Sequence, residues 1–137
     1  MILIQSIALF TALNLLIIGL SHCLRPKIWV VFFMFLAAKK QVGNVFNALL
    51  AVGTGTFICS LHFIWKWPQI IVTLYGLTLV MKGFLFLVFP EMGLASIRKL
   101  TMESVNKFRV VGLIMVLLSL IIIYGLMMEG AFTSSTL

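Results

Sequence analysis

Four stretches of this chain, Ile2 to Leu24, Val45 to Ile64, Ile70 to Phe89 and Val110 to Met128, are continuous apolar runs. Each reaches the roughly 20 residues that an α-helix needs to cross a bilayer. Such runs leave the backbone few options. No water is available in the hydrocarbon core, so every N–H and C=O must be satisfied within the structure, which only helices and closed barrels achieve. The runs do not alternate in polarity, so helices are expected rather than a barrel. Composition excludes a water-soluble globule. Of 137 residues 63% are hydrophobic and 9% charged, with a mean hydropathy of +1.23, and that is too little polar surface to cover one.

The distribution of charge sets an orientation. The net charge is +7, yet eight of the ten Lys and Arg residues fall in two connectors. Arg25, Lys27, Lys39 and Lys40 lie between the first two runs, and Arg98, Lys99, Lys107 and Arg109 between the last two. This clustering is the positive-inside pattern of a membrane protein rather than a nucleic-acid footprint, and no nucleic-acid partner is expected. Both connectors should face the cytoplasm. The turn before the third run carries only Lys66, and Glu129 follows the fourth run with no basic residue after it. Both termini are therefore expected outside, which in a bacterial cell is the periplasm. The first run is expected to be a retained span: no basic residue precedes it, and His22 stands where cleavage requires a small side chain.

The connectors are expected to lie at the membrane surface. Ile28 to Ala38 is apolar on every side but about half the length needed to span, so it should lie in the interface or form a short re-entrant dip, with Trp29 at headgroup depth, buried first in lipid and otherwise against a partner. Glu91 to Phe108 reads as one amphipathic surface helix, with Leu94, Ile97, Val105 and Phe108 opposite Arg98, Lys99, Glu103 and Lys107. Its basic face suits anionic lipid. The expected fold is an all-α membrane protein of four transmembrane helices. It would form one integral membrane domain of two tandem two-span hairpins, residues 1–64 and 68–128, each with a cytoplasmic interfacial connector helix, and a short outer tail, 129–137.

Along the second span, from just before its apolar run, Gly43, Asn47, Ala51, Gly55 and Cys59 recur every four positions. They share one helix face on which another helix can approach closely. Thr54, Thr56 and Ser60 could line a polar path, although hydroxyls in membrane helices more often bond their own backbone. Asn14 lies near the middle of the first run, where a buried amide usually bonds across to a neighbouring helix. Lys82 is the one charge well inside a run, a functional candidate whose default reading is a stem snorkelling toward the headgroups. His62, Trp65 and Trp67 mark the outer interface, and Pro68 is expected to open the third helix.

A shift of 64 positions lays Ala12, Gly19 and Pro26 on Gly76, Gly83 and Pro90. Each set leads into a basic connector and another span, which suggests a duplicated two-span unit with halves related by an axis along the membrane normal. The second half, from Gly76 to about Tyr124, carries Gly76-Leu77, Gly83, Pro90-Glu91 and Arg109-Val110-Val111-Gly112. In these residues it resembles the YjeT-like small bacterial inner-membrane proteins, two-span hairpins of unknown function. The resemblance implies the bacterial inner membrane and carries over no ligand or catalytic residue.

Chemistry-bearing groups do not converge. His22 and Cys23 fall at the connector end, His62 and Cys59 at the other, and no nucleophile elbow, paired carboxylates or phosphate-binding loop occurs. No cofactor, metal or enzymatic activity is expected. The leading expectation is an accessory or scaffold subunit that packs against lipid and other membrane proteins or its own copies. The alternative is a small oligomeric transporter or channel, which a polar path shared by Asn14, Asn47, Thr54 and Lys82 would favour. Topology reporters fused after Lys40, Lys66, Lys99 and Leu137 are expected to read cytoplasm, outside, cytoplasm and outside; a cytoplasmic signal at Leu137 contradicts this orientation.

Overall fold

The computed structural model describes residues 2–134, with side chains described for residues 3–129. Among these residues the chain forms α1 (Ile2–Leu24), α2 (Pro26–Ala38), α3 (Lys40–Leu61), α4 (Ile70–Val88), α5 (Pro90–Arg98), a 3-10 turn (Met102–Ser104) and α6 (Val105–Ser134), with no strand. The four long helices α1, α3, α4 and α6 are apolar enough to cross a membrane. Met1 and the last three residues of the expected tail, 135–137, lie outside the described residues. The rest of that tail, up to Ser134, continues α6 beyond Met128.

Two prolines set where spans end. Pro26 and Pro90 occupy the first turns of α2 and α5, where a missing N–H is harmless. Seen from the preceding helix the same residues are breaks. The carbonyls of His22 and Phe86, four residues upstream, lose their usual donors, so α1 stops at Leu24 and α4 at Val88. The reversal from α2 into α3 is sharp. Lys40 takes φ 51°, in the left-handed region where a side chain costs of order 1–2 kcal/mol. A Cβ on Gly43 would stand only 1.9 Å from the Leu36 carbonyl oxygen, so the start of α3 lies directly against the end of α2.

The connectors depart from the sequence reading in two respects. Glu91 to Phe108 is not one helix. Thr101, at φ −128° and ψ 172°, forms a reciprocal capping box with Ser104, which starts a new helix and gives Val105 and Phe108 to α6. Nor does α2 rest in lipid alone. Val30 and Leu36 are buried, and Leu36 packs with Leu94 and Ile97 of α5, flanked by Phe32 and Phe33. The connector helices thus roof one end of the bundle, with Ile28, Val31 and Phe35 left exposed.

The long helices pack as two close antiparallel pairs, α1 with α6 and α3 with α4, and the pairs touch each other more lightly. Small residues make each pair close. A Cβ on Gly19 would lie 2.9 Å from the Gly112 carbonyl oxygen, and one on Gly83 would lie 2.8 Å from the Ala48 carbonyl oxygen and 2.6 Å from the Val52 nitrogen. Ser119 donates to the Ala12 carbonyl at 2.8 Å, an interhelical bond worth on average about 0.6 kcal/mol in a membrane. The contacts correspond at a spacing of 64 residues: Gly19–Gly112 matches Gly83–Ala48, and Ala12–Ser119 matches Gly76–Gly55. Buried Ile58 and Ile122, and buried Ala8 and Val72, are related by the same interval.

Two glycines on α3 give a test with its own control. A Cβ on Gly55 would sit 2.6 Å from the Val80 nitrogen and 2.8 Å from the Gly76 carbonyl oxygen, whereas one on Gly53 would meet nothing within 4 Å. Gly55→Ala is expected to destabilise the folded chain by about 1–3 kcal/mol through overpacking. Gly53→Ala should be neutral or stabilising by up to about 1 kcal/mol through helix propensity. Thermal unfolding in detergent measures both, and equal melting temperatures for the two variants would contradict the close α3–α4 contact.

Candidate functional site

The α3 stripe does not form a single uniform surface. Gly43 lies against α2, Gly55 against the backbone of α4 and Cys59 beside Gly76. Asn47 and Ala51, buried in the same helix, instead line a crevice of about 200 Å³ between α1, α3 and α4. The other polar residues around it are Thr11 and Asn14 of α1, Thr54 of α3, and Tyr75 and Lys82 of α4. Asn14, Asn47, Thr54 and Lys82, scattered over 69 residues of sequence, therefore share one space.

Hydrogen bonding separates these groups into two kinds. Thr11 donates to the Ile7 carbonyl at 2.9 Å and Asn14 to that of Phe10 at 2.9 Å. Both are bonds to the preceding turn of the same helix, so Asn14 does not bond across to a neighbour as its position had indicated. Outside the crevice Thr56, Ser60 and Thr78 also bond their own backbones. By contrast, Asn47, Thr54 and Tyr75 make no hydrogen bond among the described residues. Asn47 is the sharpest case, an amide only 7% exposed. Its side chain opens onto the crevice, where water or a ligand can supply the partners that the protein does not.

Lys82 completes the site. It is half-buried, and its Nζ lies 5.7 Å from the centroid of the Phe86 ring, one turn nearer the connector end. The three carboxylates, Glu91, Glu103 and Glu129, all stand at the ends of the apolar segments, so the crevice carries one positive charge and no negative one. Its remaining walls, including Phe10, Ile18, Leu50, Ile58 and Leu79, are apolar.

Other polar groups serve the fold at its two ends. At the connector end Asn44, fully buried, donates from Nδ2 to the Phe86 carbonyl at 2.8 Å, supplying the bond that Pro90 cannot. Its Oδ1 has no hydrogen-bond donor and points at Gly93, where any Cβ would fall 1.9 Å away. The corresponding place in α1 is filled by rings: His22 stacks on Trp29 at 4.2 Å and on Phe108 at 5.6 Å, and Trp29 donates to Ser21 at 2.9 Å. Arg98, Lys99, Lys107 and Arg109 lie around α5 and the start of α6.

At the opposite end His62 is fully buried, while Trp65 and Trp67 are exposed. The turn after α3 folds back because Thr73 donates to the Ile64 carbonyl at 2.9 Å and accepts from its N–H at 3.0 Å. Gln69 Nε2 donates to both oxygens of Glu129, at 2.5 and 2.6 Å. That orientation leaves Gln69 Oε1 as the acceptor facing His62 Nε2 at 3.2 Å, so Nε2 carries the imidazole proton. Burial pushes His62 below the ordinary histidine value against the opposing effects of Gln69 and Glu129. Beside this network an apolar groove of about 1100 Å³ runs along α6 past Leu117, Leu120, Tyr124 and Met128.

Among the described residues no group of His, Cys, Asp and Glu could hold a metal ion. Sequence reasoning did not identify Tyr75 or the Asn44 clamp. The available signal for the clamp was Asn44 itself, an amide one residue from the stripe at the mouth of a span. In comparisons with family models, characterised proteins and solved structures, nothing matches this chain.

Proposed function

We propose that this protein is a small transporter or channel that passes a polar solute through the crevice between α1, α3 and α4. The observation that carries the reading is the meeting of Asn14, Asn47, Thr54, Tyr75 and Lys82 around one space. An ammonium within a transmembrane helix costs about 2.5–3.5 kcal/mol on insertion scales, and such residues usually line a cavity or pathway. About 200 Å³ holds roughly six waters at ~30 Å³ each, enough for a binding site but not for a continuous pore. The working form is therefore a homo-oligomer, in which the lateral mouth of the crevice is closed by another copy.

The positive connectors support an orientation with both termini outside, which in the bacterial inner membrane is the periplasm. The shared 64-residue spacing of the two helix pairs supports a duplicated two-span unit. The YjeT-like resemblance of the second half fits that origin. A second reading, an accessory or scaffold subunit, draws support from the wide apolar groove along α6, which suits a neighbouring transmembrane helix.

Lys82 separates the two readings. In proteoliposomes the wild-type chain is expected to pass small polar solutes. Lys82→Met should insert and assemble normally while flux falls at least tenfold, and Lys82→Arg should retain part of it. Assembly and flux are measured on the same preparation. Undiminished flux in Lys82→Met, or no flux in the wild type, contradicts transport through this site.

A further inference from the structure

The composition of the crevice specifies the charge and size of what it takes, an inference that rests on the crevice being a ligand site. Four of the residues that line it have side chains with no hydrogen bond among the described residues: Lys82, Asn47, Thr54 and Tyr75. All four can donate, and no carboxylate lines the space. A cation placed there would meet an uncompensated like charge at low dielectric, where repulsion is strong. A neutral solute would leave the ammonium unpaired, and a dianion would leave one of its own charges so. A single negative charge balances the site.

Size and lining narrow the class. About 200 Å³ admits on the order of six non-hydrogen atoms at water-like packing. Besides the donors the ligand would meet Ile18, Leu50 and Leu79, apolar surfaces that a halide or nitrate cannot use but a short alkyl group can. We infer that the crevice binds a short-chain monocarboxylate, its carboxylate held by Lys82 and Asn47 and its alkyl end against the aliphatic wall. In this arrangement the carboxylate accepts from the ammonium and the amide, as charge-assisted bonds that water cannot match inside the bundle.

Binding tests this without relying on flux. The full-length protein in detergent micelles is melted with sodium propionate, with propionamide as the neutral isostere, with propylammonium chloride as the cation, and with sodium chloride at equal ionic strength. Propionate is expected to raise the melting temperature in a saturable manner, and the other three are not. Lys82→Met should melt at or above the unliganded wild type, having lost a buried charge, and show no propionate shift. Asn47→Ala should weaken the propionate shift at least tenfold in concentration. The inference is overturned by no shift in the wild type, by an equal shift with propionamide, or by an undiminished shift in Lys82→Met. The two claims can fail separately. Propionate binding without flux removes transport and keeps the anion site, whereas flux of neutral solutes without propionate binding does the reverse.

Discussion

The structure depends on how closely two pairs of helix backbones approach each other. Lipid tails are as apolar as leucine, so no hydrophobic force drives these helices together once they are in a membrane. Association rests on close packing and on the few interhelical hydrogen bonds available. Gly19 against Gly112, and Gly83 against Ala48 and Val52, bring backbone atoms to distances that no larger side chain would permit. Ser119 adds a hydrogen bond to the Ala12 carbonyl in the first pair. Because these contacts lie within α1–α6 and α3–α4, the space between the pairs is left less tightly filled. The crevice is a consequence of that uneven packing.

The prolines that end α1 and α4 create a second demand, since each removes the donor for a carbonyl one turn back. At Phe86 the protein answers with Asn44 from α3, so the same residue that satisfies the break also ties α3 to α4 at the connector end. Gly93 of α5 must then be a glycine to let the amide fit. At the end of α1 the side chain of His22 is instead stacked between Trp29 of α2 and Phe108 of α6. The two span ends are thus held differently, one by a polar clamp and the other by aromatic packing.

Helix number, approximate span limits and the crowding of basic residues at one end were legible in the sequence because they follow from run length and charge, which are local. The partners of each helix were not. The Gly43 to Cys59 spacing marked a face of α3, but nothing local distinguishes the portion that meets α4 from Asn47 and Ala51, which line the crevice. The break at Thr101 was masked because Leu94, Ile97, Val105 and Phe108 keep a nearly helical spacing across it. His62 was recognisable as a polar residue at a span end, and only the fold shows it buried against Gln69, which Glu129 holds from α6. Asn14, Asn47, Thr54 and Lys82 were each recognisable as polar within a span, and only the fold decides that they face one another.

That convergence can be measured by thiol accessibility in intact membranes. In a chain whose Cys23 and Cys59 are replaced by alanine, single cysteines are placed at Asn47 and Thr54 in the crevice and at Phe46 and Leu49 on the exposed apolar face of α3. A small water-soluble methanethiosulfonate reagent is expected to modify the first two and leave the second two unreacted, because only the crevice gives water a way into the span. Equal reactivity at all four positions, or protection of Asn47→Cys and Thr54→Cys together with Leu49→Cys, would contradict a shared polar space between α1, α3 and α4.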